Sequence, residues 1–186
     1  MPKAPDVTGL ILAGGESRRF GSDKARHVVA GRPMIAHVYE TLEPVVERVL
    51  VSVRTPGADT GLPVEHVCDR YPATGPLAGL HAGLLRCPTP WLLAVACDMP
   101  FLTEDVLRTL LAARLNADGP VVARGPDGHL HPLCALYPRD VIGEVEAALN
   151  AQRHALHALL SRTAPVTEIP VPADPLRNVN QPQDLR

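Results

Sequence analysis

The chain has 186 residues, of which 46% are hydrophobic and 20% charged, a balance typical of a folded globular protein and not of a disordered one. This length suffices for one domain with a full hydrophobic core, and we expect a single domain over residues 1–186. Eighteen basic and 20 acidic residues give a formal net charge of −2, which excludes binding of nucleic acid by bulk electrostatics. Aromatic residues make up only 3%, which argues against stacking platforms for single strands.

Short apolar runs alternate with helical patterns along the chain. Strands are predicted at 7–12, 49–53, 64–68, 91–96, 121–123 and 133–137, and helices at 33–42, 77–85, 104–115, 141–149 and 155–160. Gly125-Pro-Asp-Gly128 is a turn sequence typical of a hairpin. The tail from Thr163 carries five prolines, so we expect it to be extended strand and irregular chain. The alternation of strand and helix predicts an α/β fold with a mostly parallel sheet.

The sequence indicates neither a membrane partner nor export. It has no run of 18 or more apolar residues, and its opening MPKAPDV lacks the apolar core of a signal peptide. We therefore expect a cytoplasmic protein.

Cysteine and histidine residues form no metal-binding pattern. Four cysteines, with no CxxC pair, are expected to be structural thiols: Cys68, Cys87, Cys97 and Cys134. The pairs His129/His131 and His154/His157 lie close in sequence, but we expect solvated surface side chains there in preference to metal ligands.

A glycine-rich segment directly follows the first predicted strand, with the sequence LAGGESRRFGSDK from Leu12 to Lys24. Glycines allow the backbone to approach a phosphate, and consecutive N–H groups can point towards it. Arg19 and Lys24 add cationic donors of the kind that phosphoryl or nucleotidyl transfer requires. The glycine spacing fits neither a P-loop nor the GxGxxG dinucleotide motif, and a solvated turn is the alternative.

Two aspartates follow later predicted strands. Ligands in open α/β sheets bind beyond the carboxyl ends of the strands. Asp98 follows the apolar strand at 91–96, and a hard oxygen ligand there suits Mg²⁺. Alone it could equally be a loop residue, but beside a phosphate-binding segment it becomes the natural metal site. Asp69 follows the strand at 64–68 and could bind a ribose or a base, or initiate a turn.

Taken together, these residues resemble the molybdenum cofactor guanylyltransferases. The glycine-rich segment is similar to the opening signature of that family, and further matching motifs follow in order along essentially the whole chain. They are Asp69 ahead of Gly75-Pro-Leu-Ala-Gly79, Cys97-Asp-Met-Pro100, His131-Pro132, and Asn178-Val-Asn180-Gln-Pro182.

The resemblance implies a three-layer α/β/α Rossmann-like nucleotidyltransferase fold with a mostly parallel, mixed sheet. It also implies a Mg²⁺-dependent transfer of GMP from GTP to the terminal phosphate of molybdenum-carrying molybdopterin, with release of pyrophosphate. GTP and molybdopterin would be the small-molecule partners, and other cofactor-biosynthesis proteins or molybdoenzymes are candidates for transient contact. A cytidylyltransferase of the same pathway, another small NTP:phosphate nucleotidyltransferase and a non-catalytic GTP-binding adaptor remain alternatives.

The resemblance carries roles to matching positions. The implied catalytic residues are Arg19, Lys24 and Asp98, with Asp98 also binding the metal. The implied nucleotide-binding residues are Leu12, Ala13, Gly14, Gly15, Lys24, Ser52, Asp69, Gly79 and Asp98. His131, Asn178 and Asn180 would lie on the pterin side.

Two positions bear on the nucleotide site in particular. Ser52 stands where the family commonly has Asn, and a hydroxyl can replace only one of the hydrogen bonds of an amide. Gly14 stands where similar cytidylyltransferases tend to have Ala, and the missing methyl group leaves room for a larger purine base. The second feature favours GTP over CTP.

Overall fold

The computed structural model of the chain describes residues 2–14, 27–71, 74–163, 165–179 and 184. The strands within these ranges are β1 (Ala4–Leu12), β2 (Val28–Val29), β3 (Arg32–Pro33), β4 (Val46–Val53), β5 (Glu65–Cys68), β6 (Trp91–Ala96), β7 (Val121–Arg124), β8 (Leu130–Pro138) and β9 (Thr167–Pro170). The α-helices are α1 (Met34–Leu42), α2 (Pro76–Arg86), α3 (Glu104–Ala113), α4 (Ile142–Asn150) and α5 (Leu156–Leu160). No helix in the described ranges has the length and apolar character needed to cross a membrane.

Seven of the strands form one sheet in the order β5-β4-β1-β6-β8-β7-β9. Strands β5, β4, β1 and β6 run parallel to one another, and β9 runs parallel to β7. Strand β8 is antiparallel to both of its neighbours, as the turn after β7 predicts. The mostly parallel, mixed sheet expected from the sequence is therefore confirmed.

Helices cover both faces of this sheet. Successive side chains of a strand point to opposite faces, and in β1 the side chains of Val7 and Ile11 pack in one apolar cluster while Leu10 and Leu12 pack in another. The first cluster takes its helical residues from α1 and α3, and the second from α2, α4 and α5. This is the three-layer arrangement that the resemblance implies.

Several element boundaries differ from the predicted ones for local reasons. Helix α1 begins at Met34 because Pro33 pairs with Val28 in the short β2–β3 hairpin, which the sequence patterns missed. Thr103 occupies the N-cap position of α3, but its side chain makes no capping hydrogen bond. The proline-rich tail contains one strand, β9, which finds its partners on β7.

The parallel register aligns the carboxyl ends of the central strands. Leu12 at the end of β1 pairs with Ser52 of β4 and Ala96 of β6. The main chain continues these links beyond the strands, since the Cys97 N–H donates to the Leu12 carbonyl at 3.2 Å and the Ala13 N–H donates to the Ser52 carbonyl at 3.0 Å. The segments that leave these strands consequently start side by side at one edge of the sheet.

Candidate active site

A cavity of about 160 Å³ lies at this edge of the sheet. It is enclosed by the ends of β1, β4 and β6, the loop after β5 and the start of α2. Its lining residues are Leu12, Ala13, Gly14, Ser52, Asp69, Gly75, Pro76, Gly79, Ala96, Cys97, Asp98 and Leu133. Every predicted nucleotide-binding residue within the described ranges lies on this cavity, so the structure brings them together from five separate segments.

The first turn of α2 forms one wall of the cavity. Gly75, the residue before the helix, has φ +67°, a backbone conformation that favours glycine. Pro76 occupies the first helical position, where a missing N–H costs nothing and the fixed φ suits the helix. The positive end of the helix dipole therefore faces the cavity, which favours a phosphate group there.

Asp69 presents a half-buried carboxylate to the cavity. The Ser52 hydroxyl donates a 2.9 Å hydrogen bond to its Oδ1. Desolvation raises the pKa of Asp69 above its usual value, while the hydrogen bond from Ser52 and the positive charge of Arg54 act in the opposite direction. A β-carbon added to Gly14 would lie 3.3 Å from Asp69 Oδ2 and 3.1 Å from Arg54 Cγ. Because Gly14 has no side chain, the side chains of Asp69 and Arg54 can pack against the loop after β1.

Asp98 lies in the turn after β6 and also lines the cavity. The described part of the chain contains no cluster of three or more histidine, cysteine, aspartate or glutamate side chains able to hold a metal ion. A preformed cage of the calcium type is therefore absent from those residues. The Asp98 carboxylate on this cavity fits Mg²⁺, which is commonly held by one or two carboxylates together with water and substrate phosphates.

A second cavity, of about 450 Å³, adjoins the first, and Pro76 and Leu133 line both. His131 and Asn178, two of the predicted pterin-side residues, lie on it. Its remaining lining residues are Met99, Leu130, Pro132, His154, Ala155, Leu156 and His157. A space of this size accommodates a heterocyclic ligand.

The histidines of the pairs His129/His131 and His154/His157 differ in exposure. His129 and His157 are exposed, as expected, but His154 is only partly exposed and its Nε2 has neither solvent contact nor a hydrogen-bond partner in the structure as described. The expectation of a solvated surface side chain is therefore wrong for His154, and also for His131, which is partly buried. Burial lowers the pKa of His131 below its usual value. The charge of Asp127 acts in the opposite direction, whereas the neighbouring imidazoles of His129 and His157 lower the pKa further. His131 is thus a neutral hydrogen-bonding group at pH 7.

The C-terminal segment contributes Asn178 to the second cavity and is anchored at the residues on both sides of it. The Arg177 guanidinium lies 4.3 Å from the centroid of the Phe101 ring, within the range of a cation–π interaction. Val179 is fully buried in a small apolar cluster with Val29 and Met34, against which Phe101 packs. Asn178 is held between these two contacts.

Four predicted site residues lie outside the described residues: Gly15, Arg19, Lys24 and Asn180. The roles of the remaining ones stay predictions. Sequence reasoning missed Cys97, Leu133 and His154 as lining residues. Cys97 could have been predicted from its place beside Asp98. Leu133 reaches the site because β8 lies antiparallel to β6, and no local sequence pattern indicates that pairing.

A mixed, helix-flanked sheet with nucleotide-site residues at its carboxyl edge is the architecture of the Rossmann-like nucleotidyltransferases. The chain belongs to the family of MobA-like NTP transferase domains, whose family model matches residues 9–166. The expected class of enzyme, a nucleotidyltransferase, is thereby confirmed.

Individual relatives agree with this assignment. The chain is 35% identical to the molybdenum cofactor guanylyltransferase of Desulfosudis oleivorans over 157 residues, which cover 84% of this chain and 77% of the relative. It is 34% identical to the enzyme of the same name from a Bradyrhizobium species, with 96% and 90% covered. The crystal structure of molybdopterin-guanine dinucleotide biosynthesis protein A from Archaeoglobus fulgidus has the same fold, with a TM-score of 0.77, 24% identity and coverage of 96% and 94%. The resemblance to the molybdenum cofactor guanylyltransferases is confirmed.

Proposed function

We propose that this chain transfers GMP from GTP to the terminal phosphate of molybdenum-carrying molybdopterin, in a reaction that requires Mg²⁺. The products are the molybdopterin guanine dinucleotide cofactor and pyrophosphate. The observation that carries the proposal is the single cavity lined by Gly14, Asp69 and Asp98, which come from three strand ends. The names of the relatives support guanylyl transfer and a molybdenum-cofactor substrate.

The reaction forms a bond between an oxygen of the acceptor phosphate and the α-phosphorus of GTP, and it breaks the bond between the α-phosphorus and the bridging oxygen. Pyrophosphate leaves with the electron pair of that bond. The second pKa of a phosphate monoester is about 6, so the acceptor is largely dianionic at neutral pH and needs no general base. Positioning and charge stabilisation therefore suffice for catalysis, and Arg19 and Lys24 are the proposed cations for the departing pyrophosphate.

Asp98 is the proposed ligand of Mg²⁺. When bound, the ion supplies charge stabilisation at the α-phosphate, an effect worth several kcal/mol. Asp98 would hold that charge near the end of β6, and the start of α2, which lines the same cavity, adds a favourable dipole for the phosphates.

Asp69 is the residue proposed to recognise the guanine base by hydrogen bonding. The edge of guanine carries two adjacent donors, the N1–H and the 2-amino group, and a carboxylate offers two acceptor oxygens at matching spacing. Cytosine and adenine each present an acceptor nitrogen next to their amino group, which a carboxylate would repel. Donor and acceptor chemistry at Asp69 therefore favours GTP over CTP and ATP.

The second cavity is the proposed pterin site. It adjoins the nucleotide cavity, as transfer between two substrates requires, and Asn178 and neutral His131 offer polar contacts to a heterocycle. A neutral imidazole can both donate and accept a hydrogen bond, which suits the mixed donor and acceptor edge of a pterin.

Nucleotide preference is the first test. Thermal unfolding of the purified chain is measured with GTP, CTP, ATP or UTP, each with Mg²⁺, and a nucleotide at 100 times its dissociation constant should add about 2.7 kcal/mol of stability. We expect the largest shift with GTP. A larger shift with CTP would favour the cytidylyltransferase alternative, and no shift with any nucleotide would contradict the proposal.

Turnover is the second test, measured as pyrophosphate release with GTP, Mg²⁺ and molybdopterin. Asp98→Ala should reduce turnover by about a hundredfold or more, because the charge stabilisation lost amounts to several kcal/mol. Asp140→Ala, at an exposed site after β8, is the matched control and should leave turnover unchanged. Detectable release by the wild type excludes a non-catalytic GTP-binding adaptor, and turnover of Asp98→Ala within a few-fold of wild type would contradict the metal assignment.

A further inference from the structure

The Ser52 hydroxyl is buried at the carboxyl end of β4, between α2 and the loop after β5. On the side of α2, a β-carbon added to Gly79 would lie only 2.6 Å from Ser52 Oγ, so the backbone of the helix passes directly over the hydroxyl. On the other side, Ser52 Oγ donates its 2.9 Å hydrogen bond to Asp69 Oδ1. The Ser52 hydroxyl thus lies between the backbone of α2 and the Asp69 carboxylate, which is its polar partner.

We infer that Ser52 is a positioning residue, which holds the Asp69 carboxylate in the orientation that reads the base and does not itself bind the nucleotide. A serine hydroxyl has one proton to donate, and that proton is already committed to Asp69. The inference rests on the proposed function, since it takes Asp69 to be the residue that meets guanine.

The two oxygens of Asp69 are directed to different parts of the site. Oδ1 accepts the hydrogen bond from Ser52, while Oδ2 lies towards Gly14, 3.3 Å from the position that a β-carbon there would take. The backbone of the same residue is also fixed, since the Asp69 N–H donates to the Val53 carbonyl at 3.1 Å. Only the side-chain torsions of Asp69 remain to be set, and the hydrogen bond from Ser52 restricts them.

Other groups around Asp69 act through charge or on the main chain. Arg54, next to the end of β4, favours the ionised carboxylate by its positive charge. The Cys68 thiol is directed to main-chain carbonyls, 3.4 Å from that of Arg54 and 3.9 Å from that of Asp69. Neither contact replaces a directional hydrogen bond to Oδ1, so Ser52 has a role that these neighbours do not duplicate.

The test is a double-mutant cycle on GTP binding, measured by titration calorimetry with Mg²⁺ present. Ser52→Ala should weaken GTP binding about fivefold, the effect of one lost hydrogen bond of ordinary strength. In an Asp69→Ala background, Ser52→Ala should have no further effect, because no carboxylate remains to be positioned. Ser161→Ala, which removes an exposed hydroxyl remote from the cavity, is the matched control and should bind GTP as the wild type does.

The pH dependence of GTP binding is a second measurement, and it would not change if Ser52 only stabilised the fold. GTP affinity falls as the pH drops through the pKa of Asp69, because the protonated carboxyl no longer accepts two hydrogen bonds. The hydrogen bond from Ser52 lowers that pKa against the effect of burial, so its removal should shift the acidic limb of the binding curve to higher pH. The control Ser161→Ala should leave the limb in place.

The outcomes separate this inference from the proposed function. If the wild type binds no GTP, the proposed function fails and this inference fails with it. If the wild type binds GTP and Ser52→Ala binds equally well, with an unmoved acidic limb, the inference alone is overturned. The inference is also overturned if the loss caused by Ser52→Ala persists in the Asp69→Ala background, since Ser52 would then bind the nucleotide directly.

Discussion

The main-chain N–H of Val179 donates a 2.8 Å hydrogen bond to the carbonyl oxygen of Asp98. This bond joins the C-terminal segment to the turn that carries the proposed metal ligand. Because Val179 is also fully buried with Val29 and Met34, apolar packing and hydrogen bonding act on the same residue. Asn178, which lines the second cavity, directly precedes it, so one short segment connects the turn at the first cavity with the wall of the second.

Val179→Ala should therefore weaken both stability and the second site. Loss of two buried methyl groups at a fully buried position should lower the free energy of unfolding by about 2 kcal/mol, measured by urea denaturation. The KM for molybdopterin should rise, since Asn178 loses its support, while the thermal shift with GTP should persist. Val28→Ala, at a position 55% exposed, should change stability by no more than about 0.5 kcal/mol, and an equal loss in the two variants would contradict the packing argument.

Gly79→Ala should destabilise the chain although alanine is the better helix former. A β-carbon at Gly79 would lie 2.6 Å from Ser52 Oγ and 3.0 Å from Leu12 Cδ2, so the side chains of Ser52 and Leu12 or α2 itself would have to shift. Overpacking of this kind costs about 1–3 kcal/mol, and GTP binding should weaken because both contacted residues line the nucleotide cavity.

Gly143 of α4 provides a matched control, since a β-carbon there would meet nothing within 4 Å. Gly143→Ala should raise the free energy of unfolding by up to about 1 kcal/mol through helix propensity alone. Urea denaturation of both variants measures the contrast. A gain in stability for Gly79→Ala similar to that for Gly143→Ala would show that α2 tolerates the extra methyl group.

Asp69→Asn should change which purine nucleotide the chain prefers. The amide offers one donor and one acceptor, a pair that matches the 2-oxo group and N1–H of xanthine in place of the two donors of guanine. Calorimetry with GTP and xanthosine triphosphate should therefore show GTP affinity falling by a factor of ten or more and xanthosine triphosphate affinity rising. Equal weakening for both nucleotides would mean that Asp69 contacts another part of the nucleotide, such as the ribose.

His131 should make the folded chain less stable in mild acid. Its folded pKa lies below the usual 6.5, so between these two values the unfolded chain binds a proton that the folded chain does not. Stability therefore falls as the pH drops below about 6.5. His131→Asn should reduce the slope of unfolding free energy against pH in this window, by at most about 1.4 kcal/mol per pH unit.

Urea denaturation of the wild type and His131→Asn at several pH values between 5 and 7 measures this difference. Contributions from histidines other than His129 and His157 cancel in the comparison, because only those two interact with the charge on His131. Identical slopes would contradict the inferred burial of the His131 imidazole.

Local sequence patterns predicted most of the elements of this fold. Trp91–Ala96 is a strand with the predicted bounds, because a run of six residues with an apolar character throughout suits a strand buried on both faces. The β2–β3 hairpin was missed because each of its strands has only two residues, too few to show a period. Extended strand was expected in the tail from Thr163, and β9 lies there, but its pairing was not predicted, since its partner β7 lies more than 40 residues away and nothing in the proline-rich tail signals it.

The sequence by itself determined the chemistry of the candidate site. Glycines after β1 and aspartates after β5 and β6 are features of segments only a few residues long, and the rule that ligands bind at the carboxyl ends of parallel strands converts such segments into one expected site. The tertiary structure decided how those groups meet. The hydrogen bond from Ser52 to Asp69, the space opened by Gly79, the shielding of His154 and the attachment of Val179 to Asp98 all join residues from different elements. Their distances follow from sheet register and helix packing, which are set by the whole core and not by any one segment.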